Sequence, residues 1–395
     1  MADAKALVVG VVGAGAMGSG IAQVAAAAGH RVVLGDTNPS AVGKAIAAIA
    51  KSLARDVEKG RMEQSAADAA LARISDAGDF WATYDAFATC GLVIEAVLED
   101  LAVKRALFSA LENVVADDCI LATNTSSLSV AAIGGGCKNA GRVIGIHFFN
   151  PAPVMPLVEI VPAITTSPSV TAAATALVSG WKKTTVVASD TPGFIVNRIA
   201  RPFYSESLRQ LEEHIADAAT IDWAMREIGG FRMGPFELMD FIGNDINYAV
   251  TTSVFEAFYQ DSRYRPALTQ RRLVEAGLLG RKSGRGYYDY RDGAEKPEPT
   301  RDLSLGQAIV DRTLAMLVNS AVDAVHMRVA SAADVETSMT KGVNYPKGLL
   351  AWGDEIGLPT VLQRLEALRA EYGEERYRAS PLLRQRARDG RTLLG

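Results

Sequence analysis

The sequence predicts an α/β domain with a mostly parallel sheet, followed by two duplicated all-α domains. Three observations carry this. A short apolar run, Ala6 to Val12, ends in the glycine turn Gly13-Ala14-Gly15-Ala16-Met17-Gly18 and passes directly into a helical pattern. Strand-like and helix-like segments then alternate to about Ser189, the signature of strands joined by crossover helices. Beyond that point the apolar residues keep helical spacing only, and the second half repeats itself at a fixed offset of 114 residues.

A chain of 395 residues exceeds what one core supports. The expected division is an α/β domain over 1–189, a first helical domain over 190–290, a linker over 291–303 and a second helical copy over 304–395. With 49% hydrophobic and 22% charged residues the composition is that of a globular protein. A net charge of -4 speaks against nucleic acid as partner. The uncharged stretch Ala6 to Gly29 is too rich in glycine for one membrane helix and follows no basic leader, so neither a membrane span nor a signal peptide is expected. The cysteines, Cys90, Cys119 and Cys137, are few, odd in number and lack ligand spacing. They fit a reducing cytoplasm and packing roles, with no metal expected.

In the opening unit, Ile21, Val24, Ala25 and Ala28 recur at helical spacing after the glycine turn. In such a turn Gly13, Gly15 and Gly18 allow a tight bend, close approach of a pyrophosphate and close helix packing, while the helix N-terminus offers unpaired N–H groups to the anion. A second strand, Arg31 to Leu34, leads to Asp36, 18 residues after Gly18. An acid there accepts hydrogen bonds from the ribose 2′-hydroxyl and repels a 2′-phosphate, and Thr37-Asn38-Pro39 supplies no arginine, so NAD is expected over NADP in a Rossmann-type domain. Ala41 to Arg61 reads as a helix with Lys44, Lys51, Arg55 and Lys59 on its outer face. That face is either merely solvated or a receptor for a phosphorylated handle such as coenzyme A.

Leu92 to Val97 is a further strand, followed by Glu99 and a helix carrying Lys104. Ile120 to Thr123 is another and enters the hydroxyl-rich turn Asn124-Thr125-Ser126-Ser127, where Ser126 is either a helix cap or a ligand contact at a strand's carboxyl end. Val143 to Phe149 and Leu157 to Val161 form two apolar runs joined by Pro151, Pro153 and Pro156. The bend lets Glu159 fold back beside His147, where a carboxylate could hold one imidazole nitrogen and leave the other as a base.

Asp190-Thr191-Pro192 is expected to start a long helix carrying Asn197. At the offset of 114, Ile195-Val196-Asn197-Arg198 lies over Ile309-Val310-Asp311-Arg312, Met225 over Met339, Phe231 over Tyr345, Asp240 over Asp354 and Ile242-Gly243 over Ile356-Gly357. The second copy has no glycine turn and no second His147, and Asp311 replaces Asn197. A structural role follows, in which it covers the first copy as a partner subunit would: an internal pseudo-dimer, with a homodimer as the other arrangement.

Assembled, these residues resemble the 3-hydroxyacyl-CoA dehydrogenases over nearly the whole chain. The motifs are GAGAMG at Gly13 to Gly18, NTSSL at Asn124 to Leu128, HFFNPAPVMPLVE at His147 to Glu159, DTPGFIVNR at Asp190 to Arg198 and MGPFELMD at Met233 to Asp240. Within the family, GVNYPKG at Gly342 to Gly348 and the tail at Tyr372 to Ala387 are similar to the bacterial 3-hydroxyadipyl-CoA dehydrogenases of phenylacetate breakdown. Those proteins carry an extra segment between the helical copies that is here a short linker, which leaves the acyl group open.

The resemblance implies NAD-dependent oxidation of an (S)-3-hydroxyacyl-CoA to the 3-oxoacyl-CoA. It makes His147 the general base, Glu159 its partner, and Ser126 and Asn197 the polar contacts to the reacting oxygen. It places Glu99, Lys104, Asn150 and Lys282 around NAD, and Ser52 and Lys59 on coenzyme A. The alternatives are a short-chain 3-hydroxybutyryl-CoA dehydrogenase of fatty acid metabolism, a dehydrogenase of free hydroxy acids, and a non-catalytic NAD-binding protein of the same fold.

Overall fold

The computed structural model describes residues 7–78 and 83–395. Ala6, the expected start of the first strand, lies outside them. The backbone divides between Thr191 and Pro192 into two compact units.

The first unit is built from β1 (Val8–Val12), α1 (Ala16–Ala27), β2 (Arg31–Gly35), α2 (Pro39–Glu58), α3 (Gln64–Ala72), β3 (Ile74–Asp76), β4 (Leu92–Glu95), α4 (Leu101–Glu112), β5 (Ile120–Thr123), α5 (Val130–Gly134), β6 (Val143–Phe148), β7 (Leu157–Pro162), α6 (Pro168–Gly180) and β8 (Thr184–Val187). The strands form one sheet in the order β3-β2-β1-β4-β5-β6-β7-β8. Its first six strands run parallel, β7 turns antiparallel to β6, and β8 pairs parallel to β7. Strands covered on both faces need apolar residues at nearly every position, which is why β1, β4, β5 and β6 read as unbroken runs and are almost wholly buried. The chain order reverses between β1 and β4, the switch point outside which open α/β sheets bind ligands. β3 and β8 carry no sequence signal: both are short, and β3 is exposed at two of its three positions.

One expectation fails at the end of this unit. Asp190 does not cap a long helix of its own: its carboxylate accepts hydrogen bonds from the backbone N–H groups of Val130 and Ala131 and from the Ser129 hydroxyl. It therefore caps α5, 60 residues back, with a negative charge at the positive end of the helix. Helical structure resumes only at Val196, after a turn in which Gly193 and Phe194 both take positive φ.

The second unit contains α7 (Val196–Ile199), α8 (Arg201–Glu212), α9 (Ala218–Trp223) with its π-helical continuation to Ile228, α10 (Pro235–Ile242), α11 (Asn244–Ala257), α12 (Leu268–Glu275), α13 (Leu303–His326), α14 (Ala332–Gly342), α15 (Leu349–Ile356), α16 (Leu358–Tyr372) and α17 (Pro381–Asp389). The offset of 114 maps α9 and its continuation onto α14, α10 onto α15, and α8 onto the second half of α13. Local devices repeat with it. Asp222 accepts from the N–H groups of Phe236 and Glu237 and so caps α10; Glu336 accepts from Leu350 and Ala351 and caps α15. Asp240 holds the returning chain through the N–H groups of Tyr287 and Tyr288, as Asp354 does through those of Leu393 and Leu394.

The copies do not stand as separate domains; they share one compact unit. α13 is buried around most of its circumference, as an axial helix must be, and packs on α8. Charge is exchanged across the contact in both directions. Arg198 and Arg263 of the first copy reach Asp323 of the second at 3.2 Å each. Arg312 of the second reaches Glu206 at 3.0 Å and Glu213 at 2.6 Å in the first, and the Tyr377 hydroxyl donates to Glu206. Arg198 and Arg312 are equivalent in the repeat and each reaches an acid of the other copy, which gives the contact an approximate two-fold character, although the acids themselves, Asp323 against Glu206 and Glu213, are not at equivalent positions.

Among the described residues no helix is long and apolar enough to cross a membrane, and no cluster of His, Cys, Asp and Glu could hold a metal ion. The three cysteines are free, and burial pushes the thiols of Cys90 and Cys119 up to about 12.

Candidate active site

Most of the site residues expected in the first unit gather where the parallel strands end. β1 runs into Gly13, β2 into Asp36, β4 toward Glu99, β5 toward Ser126, and β6 carries His147 one residue before its end. The three glycines do three different jobs. Gly13 has φ +106°, and a Cβ there would lie 2.4 Å from the Ala96 carbonyl oxygen, which locks the turn against the chain leaving β4. A Cβ on Gly18 would lie 1.7 Å from the Gly13 carbonyl oxygen, so α1 can start only against a bare backbone. Around Gly15 a Cβ would meet nothing within 4 Å: the space is open, as the approach of a pyrophosphate requires. Asp36 docks on this turn, accepting from the N–H groups of Ala14 at 2.7 Å and Asn38 at 2.8 Å. Beside it lies a cleft of about 430 Å³, lined by Gly15, Ser19, Gly20, Lys44, Ala48 and Pro153 among others. The open glycine, the ribose-level acid and the cleft fit NAD.

Glu99 organises the turn after β5. Its Oε1 accepts from the Thr125 hydroxyl, the Ser127 hydroxyl and the backbone N–H groups of Ser126 and Ser127. Burial alone would raise this carboxyl, but Lys104 and the hydrogen bonds from Thr125, Lys104 and Ser127 outweigh it and hold it below the usual range. Lys104 corrects a simple expectation. It is 1% exposed and contacts Glu95 at 2.6 Å and Glu99 at 3.0 Å, so it steadies Glu99 from beneath and does not itself face a ligand cleft.

The dyad is a cross-strand pair. In the antiparallel register of β6 and β7, His147 stands directly opposite Glu159. Nδ1 of His147 lies 2.7 Å from Oε2 of Glu159, with the histidine side chain 7% and the glutamate side chain 0% exposed. A carboxylate partner makes Nδ1 the protonated nitrogen and orients the lone pair of Nε2 along the opposite side of the ring. Phe149 packs on the imidazole, with ring centroids 4.6 Å apart, and the Asn124 side chain accepts from the Phe148 N–H, tying the serine turn to the strand that carries the base. Asn150 is exposed just beyond, ahead of a cis bond to Pro151.

Ser52 and Lys59 lie two turns apart on α2 and at its C-cap, hence on one face, half-buried and exposed respectively. Lys44, two turns before Ser52, lines the cleft; the sequence shows it as one of several surface lysines, and only the cleft sets it apart. Asn197 and Lys282 belong to the second unit. Asn197 is half-buried on α7, and Lys282 pairs with Asp245 at 2.6 Å.

Comparison with known proteins bears on all of this. The model of the 3-hydroxyacyl-CoA dehydrogenase NAD binding domain matches residues 8–191, and that of the 3-hydroxyacyl-CoA dehydrogenase C-terminal domain matches residues 193–290 and 309–393. The chain is 39% identical to the 3-hydroxyadipyl-CoA dehydrogenase of Escherichia coli, covering 96% of this chain and 97% of that one. It is 43% identical to the 3-hydroxybutyryl-CoA dehydrogenase of Bradyrhizobium diazoefficiens, where 74% of this chain spans 98% of the relative. Among solved structures, that of 3-hydroxybutyryl-CoA dehydrogenase from Escherichia coli K12 superposes with a TM-score of 0.91 at 39% identity, covering 97% of this chain and 98% of that one.

Proposed function

This chain belongs to the 3-hydroxyacyl-CoA dehydrogenase family, and from that premise we propose that it oxidises (S)-3-hydroxyadipyl-CoA to the 3-oxoacyl-CoA with His147 as general base. The observation that carries the assignment is the buried His147–Glu159 pair on the sheet whose first strand runs into the glycine turn. Nε2 of His147 takes the proton of the 3-hydroxyl. NAD, held by the glycine turn and Asp36, would supply the acceptor for the hydride that leaves C3. Glu159 holds the ring in place and balances the positive charge that the imidazole gains, which in a site shielded from water is worth far more than at the surface. Ser126 and Asn197 are assigned as donors to the same oxygen. Ser126 is placed by Glu99, which stays ionised through neutral pH and fixes the turn without solvent reorganisation.

Gly13, Gly15 and Gly18 with Asp36 take the pyrophosphate and adenosine ribose, and Glu99, Asn150 and Lys282 complete the cofactor's surroundings. The face of α2 bearing Lys44, Ser52 and Lys59 takes the phosphates of coenzyme A. The second helical copy acts as a built-in partner subunit, and the cytoplasm is the compartment we assign. The 43% identity to a 3-hydroxybutyryl-CoA dehydrogenase favours a C4 substrate as the second reading.

NADH formation across a panel of (S)-3-hydroxyacyl-CoAs, including the adipyl and butyryl compounds, tests the assignment. His147→Gln should lower kcat by about 10²-fold or more, the scale of a lost general base. Near wild-type turnover in that variant removes the dyad from the mechanism.

A further inference from the structure

Six arginines are buried among the described residues: Arg142, Arg198, Arg201, Arg263, Arg312 and Arg376. Five have a carboxylate within 4 Å. Arg201 has none. Its guanidinium donates through Nη1 to the Thr251 hydroxyl at 3.1 Å and lies 5.0 Å over the Tyr204 ring, and its Nε has no hydrogen-bond partner. The Tyr345 hydroxyl, which senses the same charge, is buried and also without a partner. Thr251 spends its own hydrogen on the Asn247 carbonyl. The cluster thus presents a cation and a phenol with no anion to receive them. A guanidinium left so costs several kcal/mol, which a ring face offsets only in small part.

The internal repeat shows that packing does not need these groups. At the offset of 114, Arg201 corresponds to Ala315, Tyr204 to Val318, Thr251 to Leu365, and Tyr345 to Phe231. Ala315, Val318, Leu365 and Phe231 are all buried and apolar. One side of the pseudo-two-fold therefore closes with hydrocarbon and the other with an unpaired cation and its polar surround. The polar side is the one that carries Asn197; the apolar side carries Asp311.

We propose that Arg201, with Tyr345, is the anchor for a carboxylate at the far end of the acyl chain, making the enzyme selective for dicarboxylic 3-hydroxyacyl-CoAs. The inference rests on the dehydrogenase reading and on Asn197 as a contact of the reacting oxygen. Arg201 opens α8 four residues after Asn197 of α7, with Ala200 alone between the two helices, and four residues at helical rise advance the chain by about 6 Å. Three carbon–carbon bonds separate C3 of an adipyl chain from its terminal carboxyl carbon, and at about 1.5 Å each they span about 4 Å. Adding the carboxylate oxygens and a hydrogen bond brings that end within reach of the guanidinium, whose five donors suit a planar carboxylate. A hexanoyl chain of the same length brings a methyl group to the same cation.

The test is the ratio of kcat/KM for (S)-3-hydroxyadipyl-CoA to that for (S)-3-hydroxyhexanoyl-CoA, measured on one preparation so that the folded fraction cancels. The wild type should favour the adipyl compound. Arg201→Met should cut the ratio by about 10²-fold, the loss that follows removal of one partner of a buried charge pair. Tyr345→Phe should cut it by about tenfold, the worth of a hydrogen bond to a charged group. Arg201→Met should also melt no lower than wild type, since an apolar side chain relieves an unpaired buried charge. A wild type that favours the hexanoyl compound, or an Arg201→Met ratio equal to wild type, overturns the anchor while leaving the dehydrogenase intact. Inactivity of the wild type on both compounds overturns the dehydrogenase reading and the anchor with it.

Discussion

The two helical copies are the same structure put to different use. Both keep the capping carboxylate, Asp222 or Glu336, and the aspartate that holds the returning chain, Asp240 or Asp354. Both turn at a glycine with positive φ, Gly243 or Gly357. They part at Asn197 and Asp311. Asp311 is occupied within its own copy, by Arg364 at 2.6 Å and Gln307 at 2.8 Å. The caps and turns that packing requires have survived in duplicate, so a polar group that faces no partner on one side and is hydrocarbon on the other is not demanded by packing. An internal repeat thereby serves as a control that a single domain lacks.

The strongest way to break this comparison is to remove the second copy. Truncation after Asp302 strips Glu206, which is 1% exposed, of Arg312 and Arg376, and uncovers the face of α8 against which α13 packs. Glu206 then meets water, and the cost falls on the apolar face left uncovered, which on a soluble chain seeks a partner. The truncated chain should aggregate or form new dimers in sedimentation; a stable monomer with an unchanged melting curve would show that the first copy needs no cover. Next in size is the contrast at the diverged pair. Asn197→Ala should lower kcat by about 10²-fold, as loss of a preorganised donor does, while Asp311→Ala leaves kcat and KM as they are. Equal effects in the two variants would erase the functional distinction.

The smallest effect sharpens the similarity. Burial pushes Asp222 up to about 7 despite hydrogen bonds from Tyr288, Phe236 and Glu237, and it raises Glu336 as well. In the unfolded chain an aspartate titrates at about 3.9. The folded state therefore holds a proton on Asp222 that the unfolded chain has already lost, so stability falls as pH rises through that window and levels off above pH 7 or so. The melting temperature of wild type should therefore fall relative to that of Asp222→Asn across this range. A difference in melting temperature between the two proteins that stays constant from pH 4 to 7 contradicts the shift.

The sheet and the dyad were legible in the sequence because they depend on local signals. Apolar runs mark buried parallel strands, glycine spacing marks the turn, and the proline-rich bend between His147 and Glu159 sets a hairpin register that brings them opposite. What could not be read depends on distant partners. Asp190 looks like the cap of its own helix, yet it caps α5 because Ser129 to Ala131 are folded against it. Lys104, which the resemblance places beside NAD, lies beneath two carboxylates. Arg201 looks like one more charge on a helix; only burial without an acid separates it from the other arginines.

The pseudo-two-fold contact between α8 and α13 also changes how the protein answers to dilution. Subunits that meet through such an interface come apart when their concentration drops below the dissociation constant. Here the two halves of the contact are tethered by the linker between Tyr290 and Leu303, which keeps them at an effective concentration on the order of millimolar however few molecules are present. Folding of this unit is therefore first order in the chain, and its cohesion is as complete in a nearly empty solution as in a crowded one.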